Sequence, residues 1–225
     1  MPDLERLFHC CSPQLDSLSI YITHVASEAV SDLPFKSRCS TIKTLRLPRM
    51  HRWDDLKWLS DSRLPFNFSR LCHAEIQLLK PTVAQVLQKA RSSIRYLKLD
   101  PYDFDNPISA GENGMNISQF TEITTLVIDS GHELHDVETL LSQLNKDNRI
   151  DVLIIEIRKI RRLDEHSLKH LGASVGSTPL PVLRKLEVFV CRFRPGGESV
   201  LEIQSMVRLA FAEPHIRGLL KFRVS

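Results

Sequence analysis

One short pattern, apolar-x-x-apolar-x-apolar, recurs along the chain and limits what it can become. It appears at Leu15/Leu18/Ile20, Ile42/Leu45/Leu47, Leu71/Ala74/Ile76, Ile94/Leu97/Leu99, Ile123/Leu126/Ile128, Ile150/Leu153/Ile155, Leu183/Leu186/Val188 and Leu219/Phe222/Val224. A single match carries no weight, because with 42% apolar residues about sixteen would arise by chance. The spacing is the informative part. Between the middle apolar residues the intervals are 27, 29, 23, 29, 27, 33 and 36, a nearly fixed pitch.

Each segment ends with the period-2 alternation of a strand, and several intervening stretches switch to the i, i+3, i+4, i+7 spacing of a helix. Leu4/Leu7/Phe8/Cys11, Val83/Val86/Leu87/Ala90 and Val137/Leu140/Leu141/Leu144 show it, residues 198–213 form a longer helical stretch, and residues 52–60 a short one. Thr82 and Gln85 after Pro81 read as a capping box, and Asp136 and Asp164 stand at helix starts. The stretch 101–119 is rich in Pro, Gly, Asn and Asp and reads as a loop in a repeat that has lost its helix.

Alternating strands and helices also build doubly wound sheets, so the character of the strands decides between the two folds. Strands buried on both faces read as continuous Val and Ile, whereas Leu-Arg-Leu-Pro, Leu-Lys-Leu-Asp and Leu-Glu-Val are polar at every second position. One face of the sheet is therefore expected to be wet. The expected fold class is α/β: an irregular solenoid of about eight parallel strands alternating with helices, forming one domain over residues 1–225.

The segments resemble the L-x-x-L-x-L core of leucine-rich repeats, and their loose form with helices between is similar to the repeat regions of fungal F-box proteins. The family's Asn or Cys three positions after the last motif leucine is met at Cys191, while Thr23, Met50, Leu79, Tyr102, Gly131 and Arg158 fill the equivalent places. The resemblance implies a receptor that selects proteins for a cullin-type ubiquitin ligase. The F-box that would hold the ligase adaptor is not visible in the sequence, so the chain reads as a fragment or the receptor half of a longer protein. An adaptor partner is expected only if an F-box lies outside this chain.

With motif leucines turned inward, the residues between them form columns on the exposed, concave strand face. One column is Ser19, Arg46, Glu75, Lys98, Val127, Ile154, Glu187 and Arg223; the next is Tyr21, Pro48, Gln77, Asp100, Asp129, Glu156, Phe189 and Ser225. Arg46/Glu75/Lys98 and Glu187/Arg223 read as cross-strand charge pairs. The candidate partner site takes Tyr96, Lys98, Asp100, Val127, Asp129, Val152, Ile154, Glu156, Glu187 and Phe189, with Val127, Val152 and Ile154 as exposed apolar anchors beside an acidic rim. Basic residues at Arg46/Arg49/Arg52, Arg158/Lys159/Arg161/Arg162 and Arg192/Arg194 suggest a second, basic rim.

A net charge of +3, from 30 basic and 27 acidic residues, gives no whole-chain footprint for nucleic acid, and no apolar run is long enough to span a membrane. Five cysteines, odd in number and without a C-x-x-C pair, read as reduced thiols in a cytoplasmic or nuclear protein. The sequons at Asn67 and Asn116 are then chance matches.

Enzyme chemistry is not expected, and neither is a cofactor or metal. Gly172-Ala-Ser174-Val-Gly176 matches the G-x-S-x-G nucleophile elbow, which needs a strand before it and a helix after it. A hydrolase reading would pair Ser174 with Glu187, Glu198, Glu202 or Glu213 and with His215. His166/His170 and His132/His135 each offer two metal ligands without a third. The remaining rival is a free-standing scaffold or inhibitor repeat protein.

Overall fold

The computed structural model describes residues 16–19, 40–47, 66–77, 81–100, 116–130, 134–158, 165–191, 199–213 and 218–224. The strands are β1 (Ser17–Ser19), β2 (Ser40–Thr41), β3 (Thr44–Leu47), β4 (Phe66–Asn67), β5 (His73–Ile76), β6 (Tyr96–Leu99), β7 (Thr125–Asp129), β8 (Val152–Ile157), β9 (Lys185–Val190) and β10 (Leu220–Val224). The α-helices are α1 (Pro81–Lys89), α2 (Leu134–Ser142), α3 (Glu165–Ser177) and α4 (Val200–Ala210). The fold is α/β.

Eight strands form one parallel sheet in the order β1-β3-β5-β6-β7-β8-β9-β10, so the sheet is built in chain order, with β2 and β4 left out of it, and the order never reverses. A doubly wound sheet would reverse at a switch point. The small pair β2–β4 lies apart and was not foreshadowed by the apolar pattern.

The register follows the motif. Leu18, Leu45, Ala74, Leu97, Leu126, Leu153 and Leu186 lie opposite one another strand after strand. At the last step the expectation is corrected: Leu220, not Phe222, pairs with Leu186, and Phe222 pairs with Val188. A two-residue slip keeps each side chain on its expected face but moves every partner.

Six of the seven junctions in the eight-stranded sheet repeat one main-chain device, the exception being β9–β10. The carbonyl of Asp16 accepts from the amides of Lys43 and Thr44, and Lys43, Cys72, Arg95, Thr124 and Asp151 each accept in the same way from two successive amides of the next unit. Thr124 Oγ1 and Cys72 Sγ add side-chain donations to the carbonyls their own amides use, at 3.3 Å each.

All four helices lie on the leucine side of the sheet, because their buried residues join the strand leucines in one core. Val83, Val86 and Leu87 come from α1, Val137, Leu140 and Leu141 from α2, Leu168, Leu171 and Val175 from α3, and Ile203 and Val207 from α4. Burial of these apolar faces is the main stabilising term of such a layered fold.

Ser199 caps α4 with its side chain on the Glu202 amide at 3.2 Å, and the Glu202 carboxylate returns to the Ser199 amide at 2.6 Å. This S-x-x-E capping box was overlooked in the sequence, although its spacing is legible there. Between β6 and β7 the described stretch holds a single 3-10 turn at Ile117–Gln119 and no α-helix.

Three asparagines shape the approaches to strands. Asn67, Asn116 and Asn145 each accept on Oδ1 from the amide two residues on, at 2.9 Å, in Asx turns. The two Asn-x-Ser sequons thus coincide with local turn chemistry. Asn148, buried, donates 2.6 Å to the Pro179 carbonyl and so ties the approach to β8 to the approach to β9.

The helices expected at residues 4–11 and 52–60 and the loop residues 101–115 lie outside the described residues, as do Asp164 and the Thr82 side chain.

Candidate interaction face

Strand alternation sends 44/46, 73/75, 96/98, 125/127/129, 152/154/156, 185/187/189 and 221/223 to the face opposite the helices. All the expected partner-site residues within strands lie on this face, and Asp100 directly follows β6. Three patches cover it.

The first patch centres on Glu75. Arg46 Nε approaches its Oε1 at 3.1 Å across the strands, and His73 Nε2 donates to the same oxygen at 2.7 Å. The His73 ring lies flat on Tyr96, the centroids 4.0 Å apart and the planes 3° from parallel. Burial alone would push Glu75 up, but the hydrogen bond from His73 and the charge and hydrogen bond of Arg46 outweigh it and hold the carboxyl below its usual range. Tyr96 ionises above its usual value because it is partly buried and faces the Glu75 and Glu156 carboxylates.

In the second patch Lys98 Nζ reaches Glu156 Oε2 at 2.7 Å, joining β6 to β8. Lys98 is directly opposite Val127, and Glu156 is opposite Asp129, so this bridge passes over β7 between them. Val127 is consequently 1% exposed and Asp129 3%. Val127 as an exposed anchor is therefore corrected: it is on the expected face but covered. Asp100 and Asp129 are likewise buried rather than an open acidic rim. Val152, Ile154 and Tyr96 remain half-buried.

The expected Glu75–Lys98 pair gives way to Lys98–Glu156, while Arg46–Glu75 forms as expected. Arg158 turns back onto the sheet, its Nε 3.3 Å from Asp129 Oδ2 and its Nη2 against Glu156. It is engaged in the face rather than offered by a basic rim. Arg49, Arg52, Lys159, Arg161, Arg162, Arg192 and Arg194 lie outside the described residues.

The third patch surrounds Glu187. Lys185 meets it at 2.9 Å, and Arg223, diagonal rather than opposite, is 3.9 Å away. Lys221 is its direct cross-strand neighbour and Phe189 is opposite Arg223, so the expected Glu187–Arg223 pairing is secondary to Lys185. Phe189 is half-buried. Tyr21, Pro48 and Ser225, expected in the same columns, are outside the described residues.

The G-x-S-x-G segment lies inside α3 and forms no strand-to-helix turn. Its glycine has a packing role: a Cβ on Gly172 would come 1.9 Å from the Ala210 carbonyl oxygen of α4. Of the acids considered for Ser174, Glu187 is on the opposite side of the sheet and Glu202 closes the α4 cap. His215 and Glu198 lie outside the described residues.

His166 and His170 meet edge-on, centroids 4.5 Å apart, and His135 faces Glu138 at 3.7 Å. Among the described residues no group of three potential ligands could hold a metal ion, and no described helix is long and apolar enough to cross a membrane. Cys72 and Cys191 are of intermediate exposure and are not joined in a disulfide, while Cys10, Cys11 and Cys39 are outside the described residues. The chain matches no protein-family model, no curated protein and no solved structure.

Proposed function

We propose that the chain is a leucine-rich-repeat solenoid that acts as a protein-interaction module and binds its partner on the strand face opposite the helices. The observation that carries this reading is the strictly sequential parallel order of the sheet with every described helix on one side. Such stacking exposes a long ordered face without assembling a pocket, which suits recognition of another protein.

The resemblance to the repeat regions of fungal F-box proteins makes substrate selection for a cullin-type ubiquitin ligase the specific form of the proposal. Half-buried Tyr96, Val152, Ile154 and Phe189 supply apolar contact, and the Glu75 and Glu187 clusters supply a charged surround.

The test is affinity capture with the wild-type chain beside a Tyr96→Ala/Phe189→Ala variant shown by circular dichroism to be folded. Partners lost from the variant, with ligase components among them, support the receptor reading. Specific partners lost without ligase components favour a free-standing scaffold. An unchanged partner set overturns the strand-face assignment.

A further inference from the structure

Strands β8 and β9 carry a strip of the strand face in which each row sets a charged side chain beside an apolar one. Val152 is opposite Lys185, Ile154 opposite Glu187 and Glu156 opposite Phe189. Arg158 follows Glu156 by two residues and turns onto the same face. Along its length the strip therefore runs cation, acid, acid, cation. Each strand supplies one acid and, two residues away, the cation that meets it: Lys185 reaches Glu187 at 2.9 Å, and Arg158 Nη2 lies against Glu156.

The two kinds of charge do not stand at the same height. The side chains of Lys185 and Arg158 are 35% and 34% exposed, those of Glu187 and Glu156 15% each. Glu156 is covered further by Lys98 at 2.7 Å. A molecule laid on the strip meets protruding cations at its two ends, and between them recessed carboxylates with half-buried Val152, Ile154 and Phe189. Lys185 meets Glu187, and Arg158 meets Glu156 and Asp129. Neither the ammonium nor the guanidinium exhausts its N–H groups on these acids, so each can take a further carboxylate.

This layout discriminates between occupants. A nucleic-acid strand carries phosphates at short, regular intervals and would set charge over Glu156 and Glu187 as well as over the cations. A second copy of the strip, laid on it row for row in either direction, would set cation on cation at both ends. A chain segment with an acidic residue at each end and apolar side chains between them meets neither obstacle.

We propose that the β8–β9 strip binds an extended segment of a partner protein in which two carboxylates, about 20 Å apart for six residues of extended chain, flank apolar side chains. Lys185 and Arg158 hold the carboxylates, and Val152, Ile154 and Phe189 take the apolar middle. The inference rests on the strand-face reading given above and adds the chemistry of what is bound there.

The probe is a labelled peptide, Glu-Ser-Val-Ser-Val-Ser-Glu, whose glutamates and valines share one side when extended, measured by fluorescence anisotropy against the full chain. The comparisons are Val-Ser-Glu-Ser-Glu-Ser-Val, which has the same composition with its acids in the middle, the first peptide with glutamine for both glutamates, a labelled oligothymidylate, and a Lys185→Gln protein. The expected result is binding of the first peptide, at least tenfold weaker binding of the other two peptides, and at least fivefold weaker binding of the first peptide by the variant.

Equal binding of the peptide with central acids would reduce the contact to simple charge attraction and overturn the proposed spacing. Tighter binding of the oligothymidylate than of the first peptide would make the cations a phosphate contact and overturn the proposed occupant. No binding of the first peptide overturns the proposal as well; partners still lost from the Tyr96→Ala/Phe189→Ala variant would then leave the strand-face reading standing. If Lys185→Gln impairs folding, the glutamine peptide gives the same readout on the wild-type chain: loss of binding supports the proposal and retained affinity opposes it.

Discussion

The His73 imidazole lies flat against the Tyr96 phenol, 4.0 Å between centroids, while its Nε2 holds the Glu75 carboxylate at 2.7 Å. A stacked ring thus connects two acids of opposite behaviour: Glu75 held ionised and Tyr96 held neutral. Both should be visible in solution.

The folded-state pKa of Glu75 is depressed, so its contribution to stability is present above the ordinary carboxylate value and is lost as pH falls through the lowered one. Glu75→Gln should therefore lower stability near neutral pH, by about 1 kcal/mol or less for a cross-strand cluster of this kind. The gap between wild type and variant should close in acid. Urea unfolding at a series of pH values measures it, and a gap that widens in acid would contradict the assigned ion pairs.

Tyr96 is shifted in the opposite direction, above 10.0, first by burial and then by the Glu75 and Glu156 carboxylates. Its share of stability is complete below the ordinary phenol value and falls as pH rises towards the folded value. In a spectrophotometric titration Tyr96→Phe should remove a late phenolate component. Glu75→Gln should bring that component to lower pH without abolishing the shift, since burial is the larger cause.

Val127 is roofed by the Lys98–Glu156 bridge and is 1% exposed. Val127→Arg should cost at least about 3 kcal/mol, because it forces a charge under an existing ion pair. Val127→Thr, similar in shape, should cost less. Thermal melts distinguish this from a surface position, where both changes would leave stability nearly unaltered.

Gly172 and Gly176 occupy one helix and should respond oppositely to alanine. At Gly172 the added methyl meets the Ala210 carbonyl oxygen at 1.9 Å, so the helices must separate at a cost of about 1–3 kcal/mol. At Gly176 the nearest atom is a Glu213 carboxylate oxygen at 3.6 Å, and Ala should stabilise the helix by up to about 1 kcal/mol. Ser174→Ala should change stability little, its side chain being part-exposed on α3.

Because the strands of the eight-stranded sheet are stacked in chain order, opening should begin at the ends of that sheet. Amide exchange is expected to be slowest at Leu126 and Leu153 and fastest in β1 and β10. Uniform exchange across the sheet would indicate a single cooperative unit.

Much of this arrangement was legible in the sequence because register and burial both follow from period. Leu45, Leu97, Leu126, Leu153 and Leu186 could be placed in one column since each carries its apolar partners at −3 and +2. The final strand departs from the expectation because Leu220 pairs with Leu186, and three residues before Leu220 the sequence has Arg217 where the pattern needs an apolar residue, while Leu219, Phe222 and Val224 satisfy the pattern two residues later. The cover over Val127 could not be read, as it comes from a contact between residues 58 apart in the chain. Alternation predicts which way a side chain points, not whether its neighbours fold over it.

The doubled carbonyl at every junction from β1 to β9 is made by Asp16, Lys43, Cys72, Arg95, Thr124 and Asp151, six positions with five different side chains. Main-chain atoms make the fastening, so any residue that leaves the carbonyl in place can occupy it. A joint of this kind lets mutation rewrite the visible text of a repeat while its pitch is inherited unchanged. Geometry in such a lineage should outlast spelling.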